Sequence, residues 1–232
     1  MKKICVLGAN GFVGKAICDE IAKTNYHLIK VTRNDNIEFL IKESDIIIHS
    51  ANSSKRYFAN QNPNIDLFDT VEKMLKIIKY ANGKKIILIS TISARTQKNT
   101  PYGKHRKICE LLLDEKKDLI LRMSNMFGKN NNKGVLHDII NNLDVYASNT
   151  TKCAFVDVQY NASKVINFIN NTGIIELGAK NFIELGEIAK RINSSSKFVG
   201  ADDTQLPNNV PDDAPDVNEV FNFIKNFNGE KK

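Results

Sequence analysis

Tyr102 follows Pro101 at the start of a helical pattern, and Arg106 stands four residues later on the same face. A hydroxyl-rich strand end, Ser90-Thr91-Ile92-Ser93, lies just upstream. A phenol, a cation and a strand-end hydroxyl together make a general acid/base assembly. Reduction of a ketone by hydride needs a proton delivered to the developing alkoxide. A phenol with an ordinary pKa of about 10 does this better when a positive neighbour stabilises the phenolate. Tyr102 is the acid/base candidate, with Arg106 as the cation; Lys107 lies about a hundred degrees further round the helix. Ser90, Thr91 and Ser93 compete for the hydroxyl role. No metal site is expected.

A second constellation opens the chain. Gly8, Gly11 and Gly14 separate an apolar run, Ile4 to Leu7, from a helical pattern carried by Phe12, Val13, Ala16, Ile17 and Ile21. Gly8 allows a tight turn, Gly11 lacks the Cβ that would block close approach of a phosphate, and Gly14 lets the helix lie against the first strand. With Asn10, Phe12 and Val13 filling the turn, this is a cradle for a dinucleotide pyrophosphate at a helix N-terminus. The ribose end is expected about twenty residues further on, where Thr32-Arg33-Asn34-Asp35 stand. Thr32 carries no charge to repel a 2′-phosphate and Arg33 would attract one, whereas Asp35 could serve ribose hydroxyls. NADP is favoured over NAD as the cofactor.

The elements that must position these residues follow from short Ile-, Leu- and Val-rich runs alternating with helical patterns. Strands are predicted at Ile4–Leu7, His27–Thr32, Asp45–His49, Lys85–Ser90 and Leu119–Met123. Helices are predicted at Gly11–Thr24, Ile65–Tyr80, Tyr102–Asp114, Val135–Asn142 and Asn161–Ile169. Such alternation implies an α/β fold, a Rossmann-like doubly wound parallel sheet. Arg33–Ser44 leaves little room for another strand-helix pair. Beyond Thr150 the pattern is less regular: strands near Ala154–Val156, Gly173–Leu177 and Lys197–Val199, and a helix at Ile183–Ile192. A Pro/Asp/Asn-rich stretch, Asp202–Asp216, then leads to a terminal helix at Asn218–Phe227, with the tail from Asn228 expected to fray. Residues 1–150 read as the dinucleotide-binding domain, and residues 151–232 as the last strands plus a small, reduced C-terminal substrate lobe, the two forming one continuous unit.

Composition narrows the partners. The 232 residues carry a formal charge of +7, but the lysines are scattered and no basic block is interleaved with aromatics. This points to an anionic small ligand and away from nucleic acid. Four cysteines without CxxC spacing read as reduced core thiols. Met1-Lys2-Lys3 runs straight into the first strand and no apolar run approaches the length of a membrane span, so no signal peptide, no membrane association and a cytoplasmic location are expected.

Further stretches, in order, resemble the extended short-chain dehydrogenase/reductases, the NAD(P)-dependent sugar-nucleotide epimerases, dehydratases and ketoreductases. Asp45-Ile46-Ile47-Ile48-His49-Ser50-Ala51-Asn52 resembles the D-x-V-I-H-x-A-A strand, whose small terminal residues let the backbone pass close to the cofactor. Asn64 to Thr70 is a blurred N-x-x-G-T helix start. Ser90-Thr91 resembles the strand-end S-[ST] pair, Tyr102-Gly103 with Glu110 resembles Y-G-x-x-K-x-x-x-E, and Arg122 to Gly128 fits R-x-x-N-x-[YF]-G. The resemblance covers residues 1 to about 128. Taken singly, only the glycine turn and the Arg122–Gly128 run are specific.

The resemblance implies catalysis by Thr91, Tyr102 and Arg106, the last standing where the family carries lysine. It implies cofactor contacts from Ala51, Asn52, Tyr102 and Arg106 besides the glycine turn, Thr32 and Arg33. Ser93 and Asn125 would meet the substrate, with Lys129, Lys133 and Lys152 supplying positive charge for its diphosphate. Ile92 and Ser93 stand where dehydratases place Asp-Glu, so 4-ketoreduction or epimerisation of a nucleotide-linked sugar, in surface-polysaccharide or related biosynthesis, is favoured over 4,6-dehydration. The Thr91–Tyr102 segment and the whole chain are shorter than the family norm. The family also makes homodimerisation through a helix pair possible. The competing expectation is a non-catalytic NADP-binding regulatory or scaffold protein, suggested by the missing lysine and the shortened substrate region.

Overall fold

A computed structural model describes residues 1–129 and 131–229. The strands are β1 Lys3–Leu7, β2 His27–Val31, β3 Ile46–His49, β4 Lys85–Thr91, β5 Leu119–Met123, β6 Met126–Phe127, β7 Lys152–Cys153, β8 Val156–Asp157, β9 Gly173–Leu177 and β10 Ile183–Glu184. The helices are α1 Phe12–Ile21, α2 Ile37–Lys42, α3 Arg56–Gln61, α4 Pro63–Leu67, α5 Lys73–Ala81, α6 Ser93–Thr96, α7 Pro101–Leu111, α8 Val135–Ile140, α9 Val158–Asn167, α10 Leu185–Arg191 and α11 Glu219–Gly229. A π-helical turn, Phe68–Glu72, joins α4 to α5.

Six strands form one sheet in the order β2-β1-β3-β4-β5-β9. The pairs from β2 across to β5 are parallel, as the alternation of strands and helices requires. Cys5, Ile47, Leu88 and Ile120 pack with Met74, Ile77 and Cys109. The alternate strand residues Ile4, Val6, Ile48, Ile87 and Leu121 are equally buried, so both faces of the sheet are covered. From β1 the chain passes to β2 on one side and later to β3 on the other. That reversal opens a crevice at the carboxyl ends of β1 and β3, where Leu7 lies opposite His49.

The chain divides into two compact units: Met1–Met123 with Ala162–Ile175, and Ser124–Asn161 with the chain from Glu176 onward. The second unit has its own core, including Ile139, Phe155, Leu185, Ile188, Val220 and Ile224. The Phe127 and Phe223 rings lie there with centroids 5.2 Å apart.

Between β2 and β3 the described residues hold a helix and no strand, in keeping with the little room expected there: the six-residue α2 is started by Asn36 Oδ1, which accepts the Phe39 N–H at 3.1 Å. Several other elements depart from expectation. The expected helix Ile65–Tyr80 is divided by the π turn, and it begins earlier because Pro63 is pre-set for a first helical turn. No single strand spans Ala154–Val156 among the described residues; β7 ends at Cys153 and β8 begins at Val156. Ile183 and Glu184 leave the expected helix to pair antiparallel with Cys153 and Lys152. The expected strand Lys197–Val199 reduces to a bridge between Phe198 and Val145. The chain is helical through Asn228 and Gly229, and the rest of the tail expected to fray lies outside the described residues. No helix among the described residues is long and apolar enough to cross a membrane.

All four cysteines are buried, and none forms a disulfide among the described residues. Burial pushes the Cys5 and Cys109 thiols up to about 12 and that of Cys18 to about 11, leaving them protonated and inert.

Candidate functional site

Gly8 has φ of +83°, the left-handed region, and a Cβ there would lie 2.9 Å from the Ala51 Cα. A Cβ on Gly14 would lie 2.1 Å from the Gly8 carbonyl oxygen and 2.8 Å from Ser50 Oγ. These two glycines let β1, α1 and the end of β3 meet backbone to backbone. Gly11 differs: its N–H donates to the Gly8 carbonyl at 2.9 Å, and an added Cβ would meet only that oxygen, at 3.2 Å. Helix α1 begins at Gly11 without a side-chain cap and without an acidic residue in its first turn. Asn10 and Gly11 are exposed, and Phe12 and Val13 are half-buried. An uncapped helix start behind an open glycine turn fits the pyrophosphate of a dinucleotide.

At the end of β2, Asp35 accepts the Thr32 backbone N–H and the Thr32 hydroxyl, each at 2.7 Å. Those bonds hold the Asp35 carboxyl below the usual carboxylate range. The carboxylate thus closes the turn, while Arg33 is exposed and makes no hydrogen bond or ion pair among the described residues.

At the end of β3, His49 is fully buried, and its Nδ1 lies 3.4 Å from the Ala51 N–H. Burial, foremost, and then the charges of Lys73 and Arg106 push its pKa down to about 3, so the ring is neutral. The Asn52 amide is near enough to draw the pKa slightly the other way. Even so, His49 Nε2 and both polar atoms of Asn52 are buried without a hydrogen-bond partner among the described residues. Buried polar groups are rarely left so. Their place beside the glycine cradle matches a ligand that would supply the missing partners. Lys73, at the start of α5, donates to the Ala51 carbonyl at 3.0 Å.

The proton-transfer candidates lie on β4, α6 and α7. Thr91 ends β4, and its hydroxyl donates to Ser93 Oγ at 3.3 Å while its oxygen accepts the Ser93 N–H at 3.3 Å. Ser90, on the opposite face of the strand, gives its hydroxyl to Glu110 at 2.7 Å and is thereby removed from the competition. Thr100 caps α7 by accepting the Gly103 N–H at 3.1 Å. A Cβ on Gly103 would lie 2.2 Å from the Gln97 carbonyl oxygen and 2.7 Å from that of Ser93. Only glycine lets the Tyr102 turn press onto the segment that follows Thr91.

Tyr102 is 7% exposed, and the Arg106 guanidinium carbon sits 4.5 Å from its ring centroid. The cation covers the aromatic face, one turn along the helix. Arg106 is itself buried and tethered: it donates to Thr70 Oγ1 at 2.5 Å and to the Ser53 carbonyl, and lies 3.6 Å from Asp66 Oδ1. Asp66 Oδ2 meets His105 Nδ1 at 2.7 Å. Asp66 and Thr70 lie in the Asn64–Thr70 stretch, where neither was assigned a role, and His105 was not singled out from the sequence. The available signal was spacing, since Asp66 and Thr70 stand four apart on one helical face, as Tyr102 and Arg106 do. Lys107 points elsewhere, to Glu110 at 3.3 Å.

Asn125 belongs to the second unit, where its backbone carbonyl accepts the Val156 N–H at 3.0 Å. Lys129, Lys133 and Lys152 belong to the same unit, and the Lys152 ammonium lies 4.8 Å from the Phe182 ring centroid.

Residues 4–153 match the profile of the NAD dependent epimerase/dehydratase family. A curated relative, a UDP-2-acetamido-2,6-beta-L-arabino-hexul-4-ose reductase of Pseudomonas aeruginosa, is 26% identical over 212 residues; the match takes in 82% of this chain. The chain spans 56% of that relative's length. Among solved structures, a dTDP-4-dehydrorhamnose reductase from Bacillus anthracis in complex with NADP superposes with a TM-score of 0.78 at 16% identity, covering 100% of both chains. A UDP-N-acetylglucosamine 4-epimerase from Methanobrevibacter ruminantium, in complex with UDP-N-acetylmuramic acid, gives 0.71 at 18% identity, covering 95% of this chain and 91% of the other. Fold and glycine cradle agree with the profile match: this chain belongs to the NAD dependent epimerase/dehydratase family.

Proposed function

We propose that the protein is an NAD(P)-dependent oxidoreductase or epimerase acting on a nucleotide-linked sugar, with 4-ketoreduction or epimerisation as its reaction. The observation that carries this reading is the Arg106 guanidinium held 4.5 Å from the ring centroid of Tyr102, on a helix start pressed against the residues that follow Thr91. Tyr102 is the group that gives up and recovers a proton at a substrate oxygen, with the Arg106 cation held against its ring. The Thr91 hydroxyl orients that oxygen. Ser93 and Asn125 are the side chains assigned to the substrate. Ile92 and Ser93 offer no carboxylate pair for eliminating water, which disfavours 4,6-dehydration.

Gly8, Asn10, Gly11, Phe12, Val13 and Gly14 would hold the pyrophosphate, Thr32 and Arg33 the adenosine ribose, and Ala51, Asn52, Tyr102 and Arg106 the remainder of the coenzyme. When bound, the nicotinamide gives or accepts hydride. NADP is the favoured form because Asp35 is engaged with Thr32 while Arg33 has no hydrogen-bond or ion-pair partner among the described residues. The domain assignment is part of this reading: residues 1–150 form the dinucleotide-binding domain, which also carries Ser93 and Asn125, and residues 151–232 supply the last strands and a small substrate-binding lobe. Phe68, Leu75 and Leu111 leave apolar surface exposed on the π turn, α5 and α7, which suits a homodimer built on this helix pair. A cytoplasmic enzyme of surface-polysaccharide or related sugar-nucleotide synthesis accords with such chemistry.

The test is a panel of 4-keto sugar nucleotides with NADPH, followed by loss of reduced-nicotinamide absorbance. Turnover by the chain, abolished in Tyr102→Phe with coenzyme binding retained, is the expected result. Unaltered turnover in Tyr102→Phe overturns the role of the phenol. Tight NADPH binding without turnover of any substrate supports the non-catalytic alternative.

A further inference from the structure

We propose that Lys73 is the second cation of a phosphate clamp, acting with Arg33 on the 2′-phosphate of NADP. This rests on the coenzyme reading above and assigns a specificity-determining residue that the family resemblance did not point to. Strands β2 and β3 flank β1 on either side, so side chains reaching the ends of these strands border the glycine turn from both directions. Arg33 stands just past the end of β2. Lys73 comes from α5 and places its ammonium 3.0 Å from the Ala51 carbonyl, on the residue whose Cα lies 2.9 Å from where a Gly8 Cβ would be.

The Lys73 environment suits an anion. The ammonium has three N–H donors, and one of them is used, on Ala51. No carboxylate forms an ion pair with it among the described residues. Burial, foremost, together with the like charges of Arg106 and Arg33, holds its pKa below the usual lysine value, against the opposing pull of Asp69 one turn earlier. Next to Ala51, both polar side-chain atoms of Asn52 and Nε2 of the neutral His49 are buried without a hydrogen-bond partner among the described residues. Arg33 is near enough for its charge to act on Lys73, and an anion shared by the two offsets the repulsion between them. A dianionic phosphate relieves that repulsion and fills the two spare lysine donors. The 2′-phosphate is the group that distinguishes NADP from NAD, and its ribose is the part of the coenzyme expected beside Arg33.

The test is a fluorescence titration of the full chain with NADPH and with NADH, comparing the parent with Lys73→Met and Lys73→Gln. Both variants keep an unbranched stem, and their melting temperatures report folding. The expected result is NADPH affinity about tenfold weaker in both variants, with NADH affinity unchanged. Lys73→Arg should restore much of the NADPH binding. Free 2′-AMP should compete with NADPH on the parent and less well on the variants. Equal weakening of NADPH and NADH would place Lys73 on the pyrophosphate and overturn the assignment, as would unchanged NADPH binding. If the parent binds neither coenzyme, the coenzyme reading itself falls, and the clamp with it.

Discussion

Glu110 and Arg122 face each other across α7 and β5 as a buried bidentate pair: Oε1 accepts from Nε at 2.9 Å and Oε2 from Nη2 at 2.6 Å. Ser90 donates to the same carboxylate at 2.7 Å, so three elements of the first unit are joined through one acidic side chain. Removing one partner strands the other charge in the interior, at a cost of about 3–5 kcal/mol. Glu110→Ala and Arg122→Ala should each lose stability on that scale in urea denaturation. The double variant Glu110→Leu with Arg122→Met should lose less than the two single losses summed. Additive losses would show that the pair is not coupled.

The three glycines of the first turn should fail in different ways. Gly14→Ala places a methyl 2.1 Å from the Gly8 carbonyl oxygen, a contact with backbone that side-chain motion cannot relieve. It should cost at least about 2 kcal/mol of stability and abolish coenzyme binding. Gly11→Ala meets only a 3.2 Å neighbour, so it should melt close to the parent while binding coenzyme weakly. Calorimetric melting paired with coenzyme titration separates the two.

Arg106 and Tyr102 should separate stability from chemistry. Arg106→Met removes the guanidinium facing Asp66, a carboxylate 2% exposed, and leaves it to His105 alone. It should therefore unfold at markedly lower urea, by about 3 kcal/mol. Tyr102→Phe removes a single oxygen and should stay within about 1 kcal/mol of the parent. Comparable stability of the two variants would contradict the buried network described around Arg106.

His49 should make the fold sensitive to mild acid. Its pKa falls from an ordinary 6.5 to about 3 in the folded chain, so between those values the unfolded state binds the proton and the folded state does not. Stability from this group is fully present above the unfolded value and is lost as pH falls through that window. Urea midpoints measured at about pH 7 and about pH 5 should drop, and His49→Asn should flatten the difference.

What could be read from the amino-acid order depended on how local the cause was. The glycine turn was legible because each glycine answers to a neighbour a few residues away or to the strand beside it. Strands β5 and β9 appeared at their observed limits because each is a short Ile- and Leu-rich run, broken by one charged residue, Arg122 or Glu176. Helix α6 was missed because a single turn leaves no periodicity to read. Glu110 and Arg122 were visible as two separate motif letters, but that they bind each other is a tertiary fact. Asp66 escaped because a carboxylate in a helix reads as solvated until Arg106 and His105, from a distant helix, are placed against it. The C-terminal elements were least legible: two-residue strands such as β7 and β10 owe their form to partners about thirty residues away.

The buried cysteines give the molecule its own opening reporters. Cys5, Cys18 and Cys109 sit in the first unit and Cys153 in the second, each out of reach of a thiol-modifying reagent while its surroundings stay closed. Alkylation of any of them marks a molecule that has come apart locally, and the peptide carrying the label tells which unit opened. Pulse labelling followed by mass spectrometry can thus rank the opening free energies of the two units without an added probe.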